Sequence, residues 1–413
     1  MDVTLAQILE IKHAHITISG SKSESNRLLL LQALFPNITI ENLSDSDDTI
    51  LMKKALESAE NHIDIRHSGT AMRFLTAYFS AQPNKEVLLT GSNRMKERPI
   101  GILVDALREM GAKIEYIENK GFPPLKIKGK RLTKNKISVP AHTSSQYVSA
   151  LILIASQLEN GLEISLEGKI TSQPYIEMTL ALLSQIGIES IFNQNCIAIP
   201  KTSFQKNSQV KIIIESDWSS ASYFYSVVAL SRIGTAITLS SFKQNSLQAD
   251  SVLVDIYSNF GVETIFNNDA SITIRKSKNL EPPAQNINLT NSPDIAQTIA
   301  VTCFGLGIGC NLSGLHTLKI KETNRLSALK NEIEKLGGKV EITNDSLSLE
   351  PNHSILKPIS VATYQDHRMA MAFAPLALKT KLKIENAEVV SKSYPKFWKD
   401  LQSIGFEVLI AEK

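Results

Sequence analysis

Two patterns of apolar and polar positions recur along the chain. The first is an amphipathic run that ends on glycine and continues with alternating apolar residues: ALREMGAKIEY, ALLSQIGIESIF, DIYSNFGVETIF, EIEKLGGKVEI and LQSIGFEVLI. A helical period giving way to a period of two predicts helix, stop, strand, with Gly111, Gly187, Gly261, Gly337 and Gly405 as the left-handed stops. The second opens with small polar or charged residues and turns apolar for three turns: SKSESNRLLLLQAL, SGTAMRFLTAYF, SSQYVSALILIASQ, SSASYFYSVVAL, SPDIAQTIAVTCF and DHRMAMAFAPLAL. Being apolar nearly all round, these helices should be buried as the cores of their units. Both series return at intervals of about 75 residues, the mark of a repeated supersecondary unit. Lys22 and Gly69 stand closer, and ESAENHIDIRHSG between them lacks the glycine, so the first of six units is shortened. Six such units suggest two domains of three.

The polar residues of the second series cluster at helix amino ends, where unpaired N–H groups and the positive end of the helix dipole favour anions. Ser, Thr and Asp there are expected as caps in any protein. Capping does not account for Lys22, Arg27, Arg73 and Arg368.

Composition narrows the chemistry. A net charge of +3 from 44 basic and 41 acidic residues gives no global field for a nucleic-acid or membrane surface, so any cationic function is local. Aromatic residues are only 6% and almost absent from the charged motifs, against stacking on bases. Cys196, Cys303 and Cys310 are too few and too irregular for a disulfide framework or zinc site and are expected as buried thiols in a reducing cytosol. His13, His15, His62, His142, His316 and His353 show no paired metal spacing. The amino-terminal segment lacks a basic stretch followed by an apolar core, and no apolar run approaches the ~18 residues of a membrane span. The expectation is a cytoplasmic protein needing no metal or other cofactor.

Three charged segments stand out. GSKSESNR sets Lys22, Ser23 and Arg27 at a helix start without the glycine spacing of a Walker loop. HSGTAMRF places Gly69 where a ligand could approach the backbone closely, with Arg73 one turn on. GSNRMKERPIG packs Arg94, Lys96 and Arg98 before Pro99, which alone would read equally well as a solvated basic loop. Asp294 after Pro293 reads as a helix cap, and Glu322 in KIKETNR as an ion-pair partner of Arg325 on a helix.

Taken in order, GSKSESNR, SGTAMR, RMKERPIG, SSQ, SQPYIEMT, PD, KETNR, YQDHRMAM and SKSYP resemble the 5-enolpyruvylshikimate-3-phosphate synthase family along nearly the whole chain. The resemblance implies an α/β (α+β) fold of two domains, each of three βαβαββ-type units around buried helices in an inside-out barrel. It places residues 1–18 with 216–413 in a phosphoenolpyruvate-side domain and 19–215 in a shikimate 3-phosphate-side domain. It implies a monomer that binds these two small molecules, and neither nucleic acid nor membrane.

For shikimate 3-phosphate the matching positions are Lys22, Ser23, Arg27, Ser144, Ser145, Gln146, Ser172, Tyr175, Asp294 and Lys321, with Arg27 as a bidentate clamp. For phosphoenolpyruvate they are Lys22, Gly69, Arg98, Gln146, Arg325, Arg368 and Lys392. Acid–base roles fall to Lys22, Asp294, Glu322 and His367: Asp294 for the hydroxyl proton, Glu322 with Lys22 for the proton on carbon. Charge repulsion should hold the empty domains apart and paired ligands should close them. Glyphosate is expected to compete with phosphoenolpyruvate beside Gly69. The sequence departs from the family pattern at Gln173, where lysine is common, and at Phe74, where proline is common and whose substitution could tilt the helix and shrink that room. The related UDP-N-acetylglucosamine enolpyruvyl transferases generally carry a reactive cysteine in the loop aligned with RMKERP, which has none here. A phosphate- or nucleic-acid-binding module without catalysis is the reading from another class.

Overall fold

In the computed structural model, residues 1–141, 144–168, 170, 172–201, 209–279, 285–352 and 359–411 are described; His142 and His353 lie outside them. The chain folds as two compact units, Met1–Ser19 with Glu215–Lys413, and Gly20–Ile214. Gly20 stands at the change of unit, and no side chain fits there, because a Cβ would collide with the Asn42 carbonyl oxygen.

The βαβαββ unit is visible strand by strand. His62–Asp64, the helix Gly69–Ser80 and Glu86–Thr90 form a parallel crossover. The helix Gly101–Glu109 follows, and the hairpin Lys113–Tyr116 with Leu125–Lys128 completes a four-stranded sheet. The unit from Lys136 to Ile199 repeats this order around the helices Ser145–Ala155 and Gln173–Gln185. In the other unit, strands Gln285–Asn288, Cys310–Ser313, Val340–Ile342 and Leu347–Leu349 do so around Ala296–Leu306 and Arg325–Lys335.

The remaining sheets borrow strands from a distance. Ala14–Ile16 pairs in parallel with Ala236–Leu239 across the helix Trp218–Leu230, and Asp2–Leu5 lies between Leu382–Ile384 and Val408–Ala411. In unit Gly20–Ile214, the strand Val210–Ile213 pairs with Ile38–Glu41 across the helix Lys22–Leu34, and that sheet has two strands among the described residues. The shortened first repeat is thus a shortened sheet.

All five glycine stops adopt positive φ, from 76° at Gly261 to 107° at Gly111, and each terminates a helix that a strand follows. The six helices of the second pattern are the interior. Lys22–Leu34, Gly69–Ser80 and Ser145–Ala155 pack on one another in one unit, and Trp218–Leu230, Ala296–Leu306 and His367–Phe373 do so in the other. Each buried Leu, Ile or Phe contributes about 1.5–3 kcal/mol, which outweighs the poor helix propensity of SSASYFYSVV. Buried hydroxyls on these helices satisfy one another: Ser222 and Thr298 oxygens are 3.0 Å apart, and Thr302 bonds both Ser226 at 2.8 Å and Tyr257 at 2.9 Å. Cys303 and Cys310 are fully buried as expected; Cys196 is only half-buried, on the strand Cys196–Ile199.

Candidate active site

The candidate residues divide between the units. In Gly20–Ile214, Ser21 caps the helix Lys22–Leu34 by accepting from the Glu24 N–H, which leaves Lys22 at the first turn with its Nζ 3.5 Å from Asp48. Asp48 is buried in the first turn of Asp47–Glu57. The sequence does not single it out, because an acidic residue after a Ser cap looks like helix-start chemistry and nothing more.

Arg27 is not the open bidentate fork that the resemblance implies. Its Nε donates to Thr179 Oγ1 at 2.8 Å, one terminal nitrogen donates to Ser149 Oγ and the Tyr175 carbonyl, and the other donates to the Ser23 carbonyl. One N–H remains for a ligand among the described residues. Burial pulls the guanidinium down to about 10, and its Cζ lies 5.4 Å from the centre of the Phe74 ring. Phe74 is therefore a support for Arg27, fully buried, and a proline in its place would remove that ring together with a helical N–H.

Arg98 is different in kind from Arg94 and Lys96. Those two are partly exposed and pair with Glu97 and Glu118, as a solvated loop would. Arg98 is 8% exposed, and its Nε is buried with no partner among the described residues. Its guanidinium occupies the space above Gly69: a Cβ there would meet Nη1 at 2.5 Å. Pro99 is fastened by its carbonyl, which accepts from Arg73 at 2.8 Å and from the Tyr147 hydroxyl at 2.6 Å. Arg73 also bonds the Gly69 carbonyl, so its role is to hold the loop.

Ser144 caps Ser145–Ala155, and Gln146 reaches Thr70 Oγ1 at 3.2 Å. Ser172 sits at φ 55°, ψ 38° before Gln173–Gln185 and makes no side-chain cap. Backbone strain at a non-glycine residue costs about 1–3 kcal/mol and persists where the surroundings impose it. Gln173 points to Glu177 at 2.7 Å.

The unit of Met1–Ser19 and Glu215–Lys413 gathers Asp294, Lys321, Glu322, Arg325, His367, Arg368 and Lys392. Arg325 is the centre: Nε to Asp366 at 2.7 Å, one terminal nitrogen to Asp294 at 2.8 Å and the other to Glu322 at 2.7 Å. Among the described residues, each terminal nitrogen keeps one N–H. Lys392 takes the second oxygen of Glu322 at 2.7 Å. Lys321 and Arg368 approach Asp294 at 3.5 and 3.3 Å.

Asp294 is no cap: it lies in the single turn Pro293–Ile295, and its carboxylate faces three cations. Burial alone would raise its pKa, yet Lys321, Arg368 and Arg325 together hold it well below the usual carboxylate range. Glu322 pairs with Arg325 as expected, but from the loop, since the helix starts at Arg325 with Asn324 as cap.

Asp366 caps His367–Phe373 and lies 3.5 Å from His367 Nδ1. The two residues before it, Tyr364 and Gln365, have φ 53° and 57°. Glu332, fully buried, fastens that turn by accepting from the Tyr364 hydroxyl at 2.7 Å and the Ala362 N–H at 3.2 Å. A glutamate in the middle of an amphipathic helix gives no sign of this in the sequence.

The cluster can stabilise phosphate or carboxylate groups by four cations and can hold a base ionised among them. No group of three or more His, Cys, Asp or Glu residues suited to a metal ion occurs among the described residues. No described helix is long and apolar enough to cross a membrane.

The fold is that of the enolpyruvyl transferases. An EPSP synthase from Acinetobacter baumannii superposes with a TM-score of 0.77 at 20% identity, covering 99% of this chain and 100% of that one. The enolpyruvyl transferase NikO from Streptomyces tendae gives 0.70 at 14% identity over 99% and 98%. Within that fold, the chain belongs to the EPSP synthase (3-phosphoshikimate 1-carboxyvinyltransferase) family, whose sequence profile matches residues 53–401. A 3-phosphoshikimate 1-carboxyvinyltransferase of Bacteroides fragilis is 42% identical over 407 residues, 97% of each chain, and one of a Sulfurovum species is 35% identical over 97% of this chain and 99% of its own. The resemblance carried by the nine motifs is borne out.

Proposed function

We propose that the protein transfers the enolpyruvyl group of phosphoenolpyruvate to the 5-hydroxyl of shikimate 3-phosphate and releases inorganic phosphate. The observation that carries this reading is Asp294, a carboxylate kept ionised between Lys321, Arg325 and Arg368. Such a group is unprotonated at neutral pH and can hydrogen-bond the hydroxyl and take its proton as the oxygen bonds to C2, while the cations beside it receive the phosphate and carboxylate of the second substrate. In the addition step the 5-oxygen bonds to C2 and C3 takes a proton; in the elimination a C3 proton and phosphate leave. Asp294 takes the hydroxyl proton, and Glu322, which bridges Arg325 and Lys392, serves C3 together with Lys22, with His367 as a further proton group.

Lys22, Ser23, Arg27, Ser144, Ser145, Gln146, Ser172, Tyr175 and Lys321 would hold shikimate 3-phosphate, and Lys22, Gly69, Arg98, Gln146, Arg325, Arg368 and Lys392 phosphoenolpyruvate. The protein would work as a cytoplasmic monomer of the shikimate pathway. Purified protein should release phosphate only when both substrates are present. Release with UDP-N-acetylglucosamine in place of shikimate 3-phosphate, or none with the proper pair, would overturn the reading.

A further inference from the structure

Among the described residues, the Arg368 guanidinium has two anchors. One is Asp294, which the proposed reaction engages with substrate. The other is Ser219, the second residue of Trp218–Leu230, whose hydroxyl oxygen accepts from the Arg368 terminal nitrogen at 3.2 Å. A serine hydroxyl has one hydrogen, and here it is given to Asp250 Oδ2, so the lone pairs of Ser219 are turned toward the guanidinium.

Asp250 lies in the single turn Ala249–Val252 and is 5% exposed; its other oxygen, Oδ1, is buried without a hydrogen-bond partner among the described residues. A buried carboxylate left half-satisfied is costly, and its position needs a reason beyond stability. The preceding segment is fastened to the start of the same helix. Gln248 accepts from the Trp218 N–H and donates to the Ser216 carbonyl, each at 2.9 Å, and Glu215 accepts from the Lys243 N–H at 2.8 Å and from the Ser246 hydroxyl at 2.5 Å. The carboxylate of Asp250 is thereby fixed relative to Ser219 before any ligand arrives.

We infer that Asp250, acting through the Ser219 hydroxyl, is the positioning residue that holds the Arg368 guanidinium in place for the anion it receives. The inference rests on the proposed function in taking that anion to be phosphoenolpyruvate. Asp250 touches no reacting group. Its effect is to orient one hydroxyl and to keep Arg368 placed while Asp294 exchanges partners.

The test uses the full-length protein as wild type, Ser219→Ala, Ser219→Thr, Asp250→Ala and the double variant Ser219→Ala/Asp250→Ala. Loss of the oriented hydroxyl should raise the phosphoenolpyruvate KM roughly tenfold or more in Ser219→Ala and Asp250→Ala. The shikimate 3-phosphate KM should stay within about twofold, a split that mere loss of folding would not produce. Ser219→Thr, which keeps the hydroxyl, should recover most of the affinity. The double variant should be no worse than Ser219→Ala, because Asp250 acts only through that oxygen.

Unchanged phosphoenolpyruvate KM in Asp250→Ala, or additive losses in the double variant, would overturn the inference. If the wild type releases no phosphate, the functional reading falls. Equilibrium titration with phosphoenolpyruvate alone then still decides the matter: weaker binding in both single variants upholds the positioning role and equal binding refutes it.

Discussion

Replacing Gly69 with alanine tests the site at its tightest point. A Cβ at Gly69 lies 2.5 Å from Nη1, 2.7 Å from Nη2 and 2.8 Å from Cζ of Arg98, whereas ordinary contact needs roughly 3.5 Å or more. The guanidinium must therefore move by about 1 Å. It cannot retreat with its backbone, because Arg73 and Tyr147 both hold the Pro99 carbonyl, so the displacement falls on the Arg98 side-chain torsions. Overpacking of this kind costs about 1–3 kcal/mol, or roughly 5- to 150-fold in affinity for the anion proposed to bind at Arg98. Initial rates of phosphate release should show the phosphoenolpyruvate KM rising by that factor in Gly69→Ala and the inhibition constant for glyphosate, the longer anion, rising further. Because the methyl acts through Arg98, Gly69→Ala and Arg98→Lys should be strongly non-additive in a double-mutant cycle. Additive losses, or an unchanged KM in Gly69→Ala, would refute displacement of the guanidinium as the cause.

Arg325→Met should lower stability by about 3–5 kcal/mol in urea denaturation, because it leaves Asp294, Glu322 and Asp366 without their shared cation; an unchanged midpoint would contradict the central place given to this residue. Lys276 donates from the interior to the Phe260 carbonyl, and burial, then Lys379, brings its pKa down to about 8. The unfolded chain holds this proton to about 10.4, so stability should rise with pH between about 8 and 10.4, and Lys276→Met should flatten that rise in thermal midpoints. Asp250 is pushed up to about 6, by burial first and then Asp294, so its contribution is favourable at low pH and is lost as pH rises from about 4 to 6. Asp250→Asn should remove that slope and gain stability relative to wild type on going from pH 4 to pH 7; a parallel shift at both would refute the assignment.

The repeat was legible because two constraints act on it at once. Each unit must end its outer helix and start a strand, which Gly111, Gly187, Gly261, Gly337 and Gly405 do with positive φ, and each must bury one helix completely, which makes runs such as ALILIA and SYFYSVV conspicuous. The long-range partners of the repeat were not legible. Nothing in DVTL says that it will lie between strands from residues 382 and 408, and nothing in VKII says that it will pair with ITIE, since strand pairing at such separation has no local pattern to read.

At the candidate site, the sequence distinguished cationic from neutral positions but not a cation that receives a ligand from one that holds the fold. Arg27, Arg73 and Arg98 each stand in a charged motif, yet four of the N–H groups of Arg27 are committed internally, Arg73 ties Gly69 to Pro99, and Arg98 has a buried Nε without a partner among the described residues. A guanidinium offers five donors, and its availability depends on how many the fold has used, which is a property of groups distant in sequence. Arg27 gives four of its five N–H groups to Thr179, Ser149, Tyr175 and Ser23; Arg368 is held by Ser219 and Asp294 and, like Arg98, keeps a buried Nε unpartnered among the described residues. The supporting carboxylates are hidden in the sequence for the same reason: Asp48, Asp250 and Glu332 look like helix-start or surface acids until their partners arrive from other parts of the chain. Removing one of these supports should therefore alter affinity for an anion more than it alters the fold, whereas removing an arginine whose N–H groups the fold has mostly used, such as Arg27, should do the reverse.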